Sequence, residues 1–187
     1  MKRLSLALAA SLIGVAPTAG AVDLLTDFTI SSAISSIGLT GEPGNVVREL
    51  TIPAGHTVIG FGWDVQLVAF DPSWFSEMQV VFGANNFTLS PGFWDPDENG
   101  TGSGTLGFSS GRIFSIQEMG GTPFTIGPTG KLRMEFSEEY DDDAPTPDGR
   151  WLSGTLTVVT AVPEPGTYGL MALGMLGIAA AVWRRRT

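Results

Sequence analysis

From Val22 to Ala161, apolar and polar side chains alternate in short runs, and none of these runs sustains a helical period. The stretch KLRMEF sets Leu132, Met134 and Phe136 on one side and Lys131, Arg133 and Glu135 on the other, the two-residue repeat of a half-buried strand. SGTLTVV repeats the pattern, with Leu156 and Val158 facing in against Thr155 and Thr157. VVRELTI sets Val46, Leu50 and Ile52 opposite Val47, Glu49 and Thr51; Arg48 interrupts it and either points to the Val46 face or marks an edge strand. TVIGFGWDVQLVAF predicts one long strand with Trp63 in the core, and EMQVVFG, NFTLS and RIFSIQ predict three shorter ones. Turn signals separate them: Pro53-Ala54-Gly55, Asn85-Asn86, Pro91-Gly92, Gly120-Gly121 and Gly127-Pro128. Short strands punctuated this way predict a mainly β fold, an antiparallel β-sandwich of jelly-roll type. No repeat of fixed period points to a solenoid.

Both ends break the pattern. MKRLSLALAASLIGVAPTAGAVD has two bases (Lys2, Arg3), an apolar stretch from Leu4 to Val15, and small residues at Ala19 and Ala21 where a signal peptidase would cut. Residues 1–21 are therefore expected to be a signal peptide, helical before removal, and 22–161 the sandwich domain. At the other end Tyr168–Trp183 carries no charge and would extend about 24 Å as a helix, a little less than a ~30 Å hydrocarbon core. With Trp183 at the interface and Arg184, Arg185 and Arg186 behind it, residues 167–183 are predicted to cross a thin or locally adapted bilayer, with the basic end cytoplasmic and the body outside. Gly169, Gly174 and Gly177 read as ordinary glycines of such a span.

Val162-Pro163-Glu164-Pro165, then an apolar helix, then three arginines, resembles the PEP-CTERM sorting signal of exported Gram-negative proteins. The resemblance covers the terminal segment 162–187. It implies recognition by an exosortase, a membrane protease-transferase, with cleavage near Pro-Glu-Pro and loss of the helix, much as a GPI signal is discarded. It also implies membrane anchoring before processing, a cell-surface or extracellular destination afterwards, and an association with exopolysaccharide. The same tail is sometimes labelled as a C-terminal domain of ice-binding proteins, a label that says nothing of the body. The prolines fit cleavage physically, because each fixes φ and keeps the preceding residue extended, the form a protease binds.

Composition narrows the function. The 187 residues carry a net charge of −9, and half of the ten bases sit in the two termini, so the body is strongly acidic and nucleic acid is excluded as a partner. There is no cysteine, which removes disulfides, thiolate metal sites and cysteine nucleophiles. His56 is the sole histidine, and no serine near a nucleophile-elbow pattern accompanies it, so the chain is not expected to be an enzyme. Two acidic loops are the candidate sites. In DPDENGTGSG, Asp95, Asp97, Asn99 and Gly100 fit the opening of a calcium loop, but the twelfth position is Leu106 where a bidentate carboxylate belongs. Calcium, the one cofactor considered, would then need Glu98 or acids of the second loop, SEEYDDDAPTPDGRW, such as Asp141 and Asp143. Trp94 and Trp74 are the candidate stacking platforms for a sugar ring. Three function classes follow: a surface or matrix protein without catalysis, a calcium-assisted carbohydrate-binding module and, least supported by the residues, a surface hydrolase that would need two carboxylates facing each other across a groove.

Overall fold

The computed structural model describes residues 23–84, 86–95, 97, 99–142, 146–162, 174–176 and 178. They form eleven strands: β1 (Asp23–Ile30), β2 (Ile34–Ser36), β3 (Val46–Thr51), β4 (Thr57–Ala69), β5 (Met78–Phe82), β6 (Phe87–Leu89), β7 (Gly104–Ser109), β8 (Phe114–Ser115), β9 (Phe124–Thr125), β10 (Lys131–Glu138) and β11 (Gly149–Ala161). One sheet runs β1–β11–β4–β7, with β2 also on β11 and β8 and β9 also on β4; the other runs β3–β10–β5–β6. All of these pairings are antiparallel. Without the short strands β2, β8 and β9, the chain pairs first with last: β1 with β11, β3 with β10, β4 with β7, β5 with β6. That nesting is one long hairpin wound over itself, the winding of a jelly roll.

The alternation read in the sequence becomes the two faces of the sheets. Leu132, Met134 and Phe136 of β10 are buried, as are Leu156 and Val158 of β11, and they meet between the layers. Phe61 of β4 stacks on Phe82 of β5 (centroids 4.3 Å apart) and on Phe87 of β6 (5.1 Å), tying one sheet to the other. Trp151 meets Phe136 edge-on at 5.3 Å, and Trp63 is buried against Phe114. Each such aromatic pair adds about 1 kcal/mol beyond the area it buries. Arg48 lies across from Met134, but β3 is an edge strand and the side chain reaches solvent, so both alternatives for it hold together.

RIFSIQ departs from expectation, with only Phe114–Ser115 paired. The Glu118 carboxylate accepts from Ser115 N (2.7 Å) while Ser115 Oγ accepts from Glu118 N (3.2 Å), and Arg112 pairs with Glu118. This reciprocal cap closes a turn over 116–120 and ends the strand. Of the tail, Gly174, Met175, Leu176 and Ile178 are described; they are helical, and Met175, Leu176 and Ile178 are exposed rather than folded into the core. Among the described residues no helix is long and apolar enough to cross a membrane, and most of the segment expected to do so lies outside them.

Candidate functional site: the acidic and aromatic end of the sandwich

The strand registers gather Ser36, Ala69, Met78, Gly104, Glu138 and Gly149 at one end of the sandwich. The connections leaving that end carry both acidic loops and most of the exposed aromatic rings, Phe70, Trp74, Phe93 and Tyr140.

The acids divide by what surrounds them. On β10 two glutamates three positions apart are both buried, with opposite outcomes. Glu135 faces the outer side, where the 38–45 connection folds over it. Its Oε1 accepts from Gly41 N (2.6 Å) and Asn45 Nδ2 (2.9 Å), and its Oε2 pairs with Arg133 Nη2 at 2.7 Å. Burial pulls its pKa up, but the donors from Asn45, Gly41 and Arg133 outweigh burial and hold it below the ordinary value. Glu138 continues the inward row after Phe136, is fully buried, and neither of its carboxyl oxygens has a hydrogen-bond donor. Ser36 Oγ is the hydroxyl beside it, but its proton is directed at the Ser137 carbonyl (2.8 Å). Burial raises the Glu138 pKa most; the Ser36 hydroxyl works against this, and the carboxylates of Asp148, Glu77 and Asp142 raise it further, to about 8. Glu138 thus favours its neutral form far above the usual carboxylate range. Burial likewise raises the pKa of Glu77, against the lowering bond from Trp74 N (2.8 Å).

Those acids are otherwise knitted into the loops. Ser73 Oγ donates to Asp142 (3.1 Å), and Asp142 N donates to Asp148 Oδ2 (3.0 Å). The DPDENG loop closes on itself: Asp95 Oδ2 accepts both Asn99 N and Asn99 Nδ2 at 2.9 Å, ahead of a 3-10 turn over Asn99–Thr101. Asp97 and Asp141 are exposed, and Asp143 and Glu98 lie outside the described residues. Among the described residues no group of three acidic or histidine side chains is placed to hold a metal ion. His56 Nδ1 lies 3.4 Å from Thr160 Oγ1, its side-chain partner among the described residues.

The aromatic residues form a second constellation. Trp74 is exposed beside Glu77. Trp94 is half-buried, tilted against Phe114 (6.2 Å) at the margin of the core. Phe93 is the exposed member of the pair, at 69 % of its free surface, and stands at 83° to Trp94 with centroids 5.6 Å apart. Phe93 and Ser76 line two clefts. One of about 450 Å³ is lined by Ser76, Gly92, Asp95, Gly100 and Thr101; the other, about 410 Å³, by Gln79, Thr88, Ser90, Trp94, Met119 and Glu139. The turn carrying Phe93 is tightly seated. Ser90 Oγ lies 2.6 Å from the Ser76 carbonyl and 2.9 Å from that of Met78, and Ser76 N donates to Gly100 O at 2.9 Å. A Cβ on Gly92 would stand 2.6 Å from the Phe75 carbonyl, and one on Gly100 would collide with the Gly92 carbonyl oxygen. Three backbone segments therefore touch here in a way only glycine allows.

The sequence points to Phe93-Trp94 as a pair, with Trp94 and Trp74 as the exposed platforms, and counts Glu138 among the acids of the second loop; the structure instead exposes Phe93, half-buries Trp94 and buries Glu138. The burial of Glu138 follows the alternation that runs Leu132, Met134, Phe136 and on to 138, whereas nothing in the sequence singles out Gln79, Thr88, Ser90 or Glu77.

The body is similar in fold to viral capsid chains, at low likeness. It is 12 % identical to a chain of the cyanophage Pam1 capsid asymmetric unit (TM-score 0.40, 84 % of this chain and 94 % of that one). It is 17 % identical to a chain of infectious bursal disease virus Gt strain (TM-score 0.37, 84 % and 38 %). It is 16 % identical to the VP2 subviral particle of the same virus (TM-score 0.36, 81 % and 37 %), so it spans under two-fifths of the bursal virus chains. No curated protein matches. Residues 161–186 match the family described as the PEP-CTERM protein-sorting motif, which begins on the last residue of β11: the tail of this chain is a PEP-CTERM sorting motif, and it implies an exported protein handled by an exosortase and anchored in the membrane before processing.

Proposed function

We propose that the protein is exported across the inner membrane after signal-peptidase cleavage behind Ala21, held there by residues 167–183, and released by an exosortase acting near Pro163-Glu164-Pro165. The β-sandwich then serves at the cell surface or in the extracellular matrix, by interaction rather than catalysis. The observation that carries this reading is the sorting motif over 161–186, placed directly against the end of the final strand. The described core ends with β11, at Val159 and Thr160, so losing the tail removes none of the core contacts described. Exposed Met175, Leu176 and Ile178 on a helical segment suit a lipid environment better than water. The histidine bonded to a threonine and the self-closed Asp95 loop support a non-catalytic role for the body. The test is fractionation of the native host producing the wild-type chain and a variant with Arg184, Arg185 and Arg186 replaced by alanine. Wild type should reach the surface or medium while the variant stays in the membrane fraction. Wild type confined to the cytoplasm, or the two distributed alike, would refute the reading.

A further inference from the structure

We propose that the corner formed by Phe93 and Trp94 is a binding subsite for a neutral sugar ring, a pyranose of a polysaccharide or glycan chain. Four observations carry it. Phe93 is the most exposed large apolar side chain of the described body, yet it is not loose, because the edge of one ring meets the face of the other in its pairing with Trp94. Trp94 is in turn held against Phe114 and the core. A rigid exposed ring loses little entropy on binding, whereas an unheld one would fold down onto the surface.

The two rings, set at right angles, are a floor and a wall to the cleft of about 410 Å³, a size suited to a small ligand ring. A pyranose presents C–H groups on its face and hydroxyls around its edge. The corner offers an aromatic face for the first and Gln79, Thr88, Ser90 and Glu139 for the second. Gln79 spends its amide N–H groups on the Glu138 carbonyl (2.9 Å) and Thr40 (3.3 Å), which fixes its carbonyl oxygen as an acceptor. The Thr88 and Glu139 side chains are exposed.

Charge selects among ligands. No lysine or arginine is among the described residues lining either cleft, while Glu139 lines one and Asp95 the other. A uronate or sulfated sugar would meet carboxylates with no counter-charge, so the neutral ring is the one that fits. The second cleft, which shares Phe93 and Ser76 with the first, leaves room for the chain to continue. The glycine-only contacts at Gly92 and Gly100 pre-form the corner. The inference rests on the surface reading only for where such a ligand is met.

The test is a glycan array of neutral and acidic oligosaccharides probed with the full chain in detergent, with Phe93→Ala, Phe93→Trp and Trp74→Ala as variants. Wild type should bind at least one class of neutral glycan, and Phe93→Ala should weaken that binding roughly tenfold or more, the loss of a good stacking contact. Phe93→Trp should retain it, and Trp74→Ala, whose ring lines neither cleft, should leave it unchanged. Because Phe93 is exposed, its truncation does not threaten the fold; an unaltered unfolding curve for the variant confirms this. No bound neutral glycan, binding indifferent to Phe93→Ala, or binding dominated by uronate or sulfated glycans each overturns the proposal. The fractionation above is read separately, so failure of the sugar site and failure of the surface reading are distinguishable.

Discussion

Replacing Glu138 by glutamine should abolish most of a pH dependence that wild type displays. In the folded chain this carboxyl keeps its proton up to about pH 8; in the unfolded chain it releases it near 4.5. A folded-state pKa raised in this way means the native state holds more protons than the unfolded one throughout that interval. Stability from this group is therefore greatest below pH 4.5, falls as pH rises, and levels off above 8. At about 1.4 kcal/mol per pH unit, the full interval amounts to at most roughly 5 kcal/mol, a large share of the stability of a domain this size. Glutamine is nearly isosteric and stays neutral, so the variant matches wild type near pH 5 and exceeds it by several kcal/mol at pH 9. Urea unfolding followed by tryptophan fluorescence, at pH steps from 5 to 9, measures both slopes. A smaller slope of the same sign should survive in the variant, because burial raises Glu77 as well. Parallel slopes in the two proteins, or wild-type stability that rises from pH 5 to 8, would refute the reasoning.

Glu135 predicts the mirror image. Its pKa is depressed, so its contribution is present above pH 4.5 and is lost as the medium becomes more acidic; Glu135→Gln should cost about 1–3 kcal/mol at pH 7 and progressively less as pH falls below 4.5, by the same unfolding assay. Phe61→Ala removes the ring stacked on both Phe82 and Phe87 and should cost about 3–5 kcal/mol; under 1 kcal/mol would show that the sheets are not joined there. Gly100→Ala forces a methyl into the Gly92 carbonyl and should cost about 1–3 kcal/mol while weakening any glycan binding at Phe93; a neutral effect on both would mean that the 92–100 contact does not hold the corner.

Legibility in the sequence followed the hydrophobic contrast between the two faces of a strand. β10 and β11 bury one face strongly, and their alternation is plain. β7 is nearly all exposed, with Phe108 its buried residue, so the chain around it carries little periodic signal. RIFSIQ looked like a strand because its apolar positions alternate, yet the Ser115–Glu118 cap decides the matter with two hydrogen bonds that periodicity cannot register. The Asp95 loop shows how one set of residues supports two readings. Alternating oxygens suit a cation, and here the same spacing lets Asn99 reach back to close the turn. The sequence points to Trp94 as the exposed ring, and the structure reverses this: neighbouring residues in a turn point to different sides, and the packing of Phe114 chooses Trp94 for the inside and leaves Phe93 exposed.

The account stands on the terminal motif as a processing signal, and intact mass spectrometry of the protein recovered from the surface of the native host tests that most directly. The account predicts a chain that begins at Val22 and ends close to Pro163–Pro165, with or without an attached group. A surface species that still carries Tyr168–Thr187 would contradict it.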